Sequence, residues 1–140
     1  MRLRDATTAD AAAIAGLLTQ LGYPAASDSV ARRLALLAGA DRVFVAELDG
    51  RIAGLAHLQV LPAIEYDEPA ARLAALVVDE SSRRAGVGRA LLDAVEADAR
   101  SRGCALLFLT TAERRAGAHV FYEALGFEHT GRRYTKRLGD

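Results

Sequence analysis

Residues 76–92, "LVVDESSRRAGVGRALL", decide how this 140-residue chain is read. An apolar run ends in Asp79 and two serines. Arg83 and Arg84 follow, then Gly86 and Gly88 one residue apart, and then a run of good helix formers. Glycine weakens a helix, so two of them at a helix start ask for a reason. A strand feeding a glycine-rich turn and a helix makes an anion site. Free N–H groups leave the helix N-terminus, and its dipole favours negative charge. Gly86 and Gly88 let the backbone approach a ligand with no Cβ in the way, and Arg83, Arg84 and Arg89 add charge. A phosphate or pyrophosphate is the natural guest. Two familiar phosphate loops do not fit. The P-loop needs Gly-Lys-Ser/Thr, but Arg89 and Ala90 follow Gly88, and the dinucleotide fingerprint needs a third glycine where Leu91 stands. The same glycines also serve as plain turn residues, and the arginines as solvated charge.

The elements around the turn set the fold class. Residues 2–4 are a short first strand. Thr7 to Asp10 caps a helix carrying Ile14, Leu17, Leu18 and Leu21, which "LGYP" stops through Pro24. Ser27 is the next N-cap, Val30, Leu34 and Leu37 form one apolar face, and Gly39 ends it. Residues 43–62 read as a β-hairpin turning at Asp49-Gly50. Residues 63–70 are an acidic connector and 73–78 a buried strand. A helix runs from Val87 to about Arg100 before Gly103, then a strand over 105–110, a helix over 116–125 before Gly126, and a last strand over 132–138. The order β-α-α-β-β-β-α-β-α-β predicts a three-layer α/β arrangement on a mixed sheet, with residues 1–140 as one domain.

Composition narrows the function. The chain is 51% apolar and 26% charged with zero formal net charge, which argues against general nucleic-acid binding or a membrane surface. The single cysteine, Cys104, makes no internal disulfide, and the N-terminus has no apolar signal core, so a soluble cytoplasmic protein is expected. One cysteine and three scattered histidines predict no metal site. Cys104, at a strand start, is expected to be buried and inert, and His119 and His129 to be helix-surface and turn residues.

Arg83-x-x-Gly86-x-Gly88 after "LVVDESS" resembles the acyl-CoA-binding motif of the GCN5-related N-acetyltransferases. "AHVFYEALGF" (118–127) resembles that family's C-terminal motif, and the element order matches its fold, so the resemblance covers essentially the whole chain. It implies an α/β/α acyl-CoA N-acyltransferase fold with a splayed, mostly antiparallel sheet. It implies acetyl-CoA as co-substrate and an amine of a small molecule or peptide as acceptor, with no metal, and a homodimer as the partner state. By the resemblance the pyrophosphate lies on the turn amides of Arg84, Ala85, Gly86, Val87, Gly88 and Arg89, beside Arg83. The pantetheine arm lies along Leu76, Val77 and Val78. The Val78 amide receives the oxyanion. Tyr122 protonates the departing thiolate and, with Ala118, lines the cofactor.

Two departures stand out. Many relatives carry a glutamate on the strand before the turn, whereas this one reads Leu73-Ala74-Ala75-Leu76. Glu65, Asp67 and Glu68 on the connector and His57 on the preceding strand remain, with Glu65 the chosen base, acting through water; the acidic run also serves as a solvated loop or attracts a cation. Arg115 stands where the family often has asparagine, and Arg114 and Arg115 are either a variant cofactor contact or surface charge. The absent carboxylate leaves a second reading open, a non-catalytic acyl-CoA-binding domain. A third, a toxin-like transferase for aminoacyl-tRNA, needs an arginine face around Arg32, Arg33, Arg132 and Arg133 against the zero net charge.

Overall fold

The computed structural model describes residues 1–110 and 116–139. They form two compact units, Met1–Phe108 and Leu109–Asp140. In the first, β1 (Arg2–Asp5) leads to α1 (Ala11–Leu21) and α2 (Ser27–Leu37). Strands β2 (Arg42–Leu48), β3 (Arg51–Leu61) and β4 (Ala70–Val78) follow, then α3 (Val87–Ser101) and the short β5 (Leu107–Phe108). The sheet order is β1-β2-β3-β4-β5, antiparallel throughout except for the parallel β4–β5 pair.

Helices cover both faces. Ala11, Ile14, Ala15 and Leu17 of α1 and Val30 of α2 pack on Val45, Leu55 and Val77. Gly54, next to Leu55 and so facing the opposite side, lies against Val87 and Leu91 of α3. Val87, Leu91 and Val95 recur every four residues and are fully buried, so one stripe of α3 anchors it to the sheet. This is the expected three-layer α/β/α arrangement on a mostly antiparallel sheet.

Local chemistry explains most boundaries. Asp49 and Gly50 hold φ of 54° and 76°, the left-handed pair a two-residue hairpin needs. Thr7 and Asp10 form a capping box, but on a single 3-10 turn at Thr8–Asp10 ahead of α1. Asp10 is held further by a bidentate Arg4 at 2.8 Å on each carboxylate oxygen. Gly22, rather than Pro24, ends α1: it is left-handed, and the Tyr23 amide reaches back to the Leu18 carbonyl at 2.8 Å. Ser27 is the first helical residue of α2 and Ala26 the N-cap, with no side-chain cap bond.

The sheet departs from expectation in three places. β4 begins at Ala70, because β3 runs to Leu61 and the ladder continues until Leu61 pairs with Ala70. The strand expected over 105–110 is only Leu107–Phe108, paired with Ala71 and Arg72. The strand expected over 132–138 is absent: residues 127–139 hold no regular structure, and 128–139 are exposed. Three arginines and a lysine in seven residues give that segment no apolar face to bury.

The second unit carries α4 (Ala116–Ala124). It ends in a Schellman motif. The Phe127 amide bonds the Tyr122 carbonyl at 3.1 Å, the Gly126 amide bonds the Glu123 carbonyl at 3.1 Å, and Gly126 is left-handed at φ 92°. The apolar contact that accompanies this cap is here aromatic. The Tyr122 ring meets Phe127 edge-on at 5.5 Å and Phe121 at 5.3 Å. No described helix is long and apolar enough to cross a membrane.

Candidate active site

The site begins at an unpaired strand edge. On the side away from β3, β5 pairs with β4 only at Ala71 and Arg72. Residues 73–78 therefore have no strand partner on that side among the described residues. A bulge adds to the divergence: Leu58 faces Leu73 and His57 faces Ala75, leaving Ala74 as the extra residue. The Asp79 amide bonds the Ala53 carbonyl on β3 at 2.8 Å. Strand alternation then turns the Val78 and Leu76 amides to the opposite, open edge. Val77 is buried against α1 and α2, while Leu76 and Val78 are half-buried.

Beyond Val78 the chain enters the turn. Asp79 accepts from the Ser81 amide at 3.2 Å and from the Ser81 hydroxyl. Gln20, on the last turn of α1, donates to Asp79 Oδ1 at 2.7 Å and accepts from the Glu80 amide at 3.0 Å. Hydrogen bonds from Gln20 and then from Ser81 hold the Asp79 carboxyl below the usual carboxylate range. This clamp fixes the turn's entrance, and the buried Val87 fixes its exit.

Residues 83–86 between them are exposed. Gly86 is the N-cap of α3 at φ 79°, a conformation costly for residues with a Cβ, and it offers no side-chain cap. Arg84 holds φ 70° in spite of its Cβ, the kind of local strain found at ligand-holding turns. The first turn of α3 contains no acid. Arg89 reaches Asp93 only at 3.9 Å, and Arg83 and Arg84 have no ion-pair partner among the described residues. Free helix amides, positive side chains and no carboxylate in the first turn of α3 suit a pyrophosphate.

The other candidates fall in different places. Ala118 and Tyr122 lie on α4 in the second unit, both half-buried. Glu65, Asp67 and Glu68 are exposed in the β3–β4 connection. That connection meets β4 at Ala70, eight residues or roughly 26 Å of strand from Val78. Arg114 and Arg115 lie outside the described residues. Cys104 is half-buried rather than buried and precedes β5 instead of starting it, and burial pushes its thiol up.

Sequence reasoning passed over two contributors. Gln20 carries no motif, and its bonds to Asp79 and Glu80 span about 60 residues of chain. Gly54 was read only as part of a hairpin. It sits where a Cβ would come 2.8 Å from Val87 Cγ1 and 2.9 Å from Leu91 Cδ1, so its bare backbone sets how close α3 approaches.

Residues 13–127 match the model of the acetyltransferase (GNAT) family. The chain is 36% identical over 139 residues to aminoglycoside N(6')-acetyltransferase type 1 of Stenotrophomonas maltophilia, covering 93% of this chain and 88% of that protein. It is 30% identical to aminoalkylphosphonate N-acetyltransferase of Salmonella typhimurium, covering 97% and 90%. A crystal structure of an aminoglycoside N-acetyltransferase in complex with CoA superposes with a TM-score of 0.84 at 25% identity, over 98% of this chain and 93% of that one.

Proposed function

The chain belongs to the GNAT acetyltransferase family and is an N-acetyltransferase, and we propose that it transfers the acetyl group of acetyl-CoA to a primary amine of a cationic small molecule. The observation that carries this reading is the open edge of β4 running directly into an arginine-rich, acid-free helix N-terminus. Acetyl-CoA supplies the acetyl group as a thioester when bound. The turn amides from Arg84 to Arg89 hold its pyrophosphate, with charge from Arg83, Arg84 and Arg89. The edge of Leu76 to Val78 pairs with the amide-bearing arm as it would with a peptide strand. The Val78 amide donates to the carbonyl oxygen where negative charge collects. The Tyr122 hydroxyl donates its proton to the departing sulfur; a phenol with a pKa near 10 stays protonated at neutral pH. Ala118 and Tyr122 line the cofactor. The two relatives that this chain matches nearly end to end are named for acceptors that are small amines. Exposed Glu65, Asp67 and Glu68 favour a cation at long range.

The test is release of free thiol from acetyl-CoA in the presence of kanamycin, glucosamine, aminomethylphosphonate, spermidine or a lysine peptide. Turnover of a small amine but not the peptide is expected. Turnover of the peptide alone would overturn the acceptor class. Saturable acetyl-CoA binding with no transfer to any amine would favour the non-catalytic acyl-CoA-binding alternative.

A further inference from the structure

The turn after β4 holds two serines, and the fold uses them in opposite ways. Ser81 is exposed, yet its amide and its hydroxyl both donate to Asp79. Ser82 is only 7% exposed, and its hydroxyl has no hydrogen-bond partner among the described residues. Asp10, the other buried polar residue among those described, is held by Arg4 and by the Thr7 amide. The Ser82 hydroxyl is not sealed in. Among the described residues, the one side-chain polar atom shut off from solvent without a hydrogen bond is Asp98 Oδ2. Buried polar groups are nearly always paired. A buried side chain whose hydroxyl is unpaired, and still open to the surface, has room for a partner from outside the chain.

The backbone fixes where that hydroxyl stands. The Ser82 amide donates to the Asp79 carbonyl at 2.9 Å, and the Ser82 carbonyl accepts from the Ala85 amide at 3.4 Å. Arg83 holds φ −64° and ψ 149°, and Arg84 holds φ 70°, the pattern of a type II turn over Ser82–Ala85. Such a turn brings its first and last Cα atoms within about 7 Å of each other. Ser82 therefore lies beside Ala85, the residue before the Gly86 N-cap, at the N-terminal end of α3. Arg83 and Arg84 form the exposed tip. On the acetyl-CoA reading above, on which this inference rests, the pyrophosphate lies on the amides of this same turn. We propose that the Ser82 hydroxyl is a further ligand of that pyrophosphate, donating to one of its non-bridging oxygens. A short side chain already held by packing loses less freedom on binding than a long exposed arginine. Ser82 and the amides thus fix the position of the phosphates, and the arginines supply charge.

Two acetyl donors separate this contact from a purely structural one. S-acetylpantetheine carries the arm and the thioester but no phosphate. The ratio of kcat/KM for acetyl-CoA to that for S-acetylpantetheine, with the fastest amine of the panel, reads what the phosphate end contributes. Calorimetric affinities for the same two donors give the ratio again, whether or not transfer occurs. In Ser82→Ala both ratios should fall about tenfold, as expected for loss of a hydrogen bond to a charged group. Ser82→Cys is close to serine in size and lacks the strong donor, so it should follow Ser82→Ala and guard against a folding defect in one variant. Unchanged ratios, with acetyl-CoA bound as tightly as by wild type, overturn the proposal and leave the hydroxyl to water. A loss by the same factor with both donors also overturns it, because Ser82 then serves only the shape of the turn. A wild-type chain that binds no acetyl-CoA overturns the acetyl-CoA reading itself. A wild type that binds it, with an unaffected Ser82→Ala, overturns the ligand role alone.

Discussion

Gly54 on β3 lies directly against Val87, the first residue of α3, so close that a Cβ would stand 2.8 Å from Val87 Cγ1. Leu91 Cδ1 would be 2.9 Å away and the Val77 carbonyl oxygen 3.3 Å. The glycine thus sets the height of α3 over the sheet, and with it the turn that the helix caps. Gly54→Ala should destabilise the fold by about 1–3 kcal/mol, the usual range for overpacking. It should also weaken acetyl-CoA binding, because Val87 cannot yield without moving Gly86 and Gly88. Gly16, exposed in mid-helix with nothing within 4 Å of its Cβ position, is the control. Gly16→Ala should stabilise by about 0.5–1 kcal/mol through helix propensity alone. Denaturant melts of both variants check the pair. Equal effects would mean that the Val87 contact is not limiting.

Gln20 joins α1 to the entrance of the same turn through Asp79 and the Glu80 amide. Removing it frees two hydrogen-bonding groups at an exposed site, so the fold should tolerate the loss. Gln20→Ala should keep its melting temperature within a few degrees and raise the acetyl-CoA Kd about fivefold. Gln20→Glu would place a carboxylate against Asp79 and should bind more weakly still. Calorimetric titration of both variants decides. An unchanged Kd in Gln20→Ala would show that the turn holds its shape unaided.

Asp10 gives the fold a pH dependence whose sign follows from its partners. The hydrogen bonds from Arg4, then that from the Thr7 amide, hold its carboxyl below the usual carboxylate range against the opposing effect of burial. A carboxyl depressed in the folded state stabilises above its unfolded pKa, near 3.9. That stabilisation is lost as pH falls through the lower folded value. Asp10→Asn should therefore melt well below wild type at pH 7, and the gap should narrow as pH drops under about 4. Thermal melts across pH 2 to 7 measure it. A gap independent of pH would assign the loss to packing rather than charge.

The legible parts of the sequence were those in which local chemistry decides. The Asp49-Gly50 turn, the capping box and the glycine turn each need particular residues within a few positions, and each lies where expected. The less legible parts depend on a partner far along the chain. Strand β4 starts at Ala70 because β3 is there to pair with it. Residues 132–138 have β-branched and aromatic character but no apolar face, and Tyr134 and Leu138 are about 90% exposed. Asp41 and His57 are 16 residues apart with no motif between them, and only the β2–β3 register brings them together. An acidic run near the turn in sequence is visible, whereas the bulge at Ala74 that sets His57 opposite Ala75 is a property of the ladder.

Tyr122 offers the sharpest division between structure and chemistry. Its ring is set by the α4 cap: the Phe127 amide bonds its carbonyl, and the rings of Phe121 and Phe127 meet it edge-on. The cap bond and the two ring contacts do not use the phenolic oxygen, so Tyr122→Phe can keep these three and removes the hydroxyl proton. Acetyl-CoA should bind within about threefold of wild type, while kcat falls about 100-fold. A thioester with a better leaving group separates the remaining possibilities. If Tyr122 protonates the sulfur, an acetyl donor whose thiol has a pKa well below 8.5 needs that proton less, and the variant should recover most of its rate. A variant equally slow with both donors would place the hydroxyl in binding or orientation. A variant as fast as wild type on acetyl-CoA would remove Tyr122 from the reaction altogether.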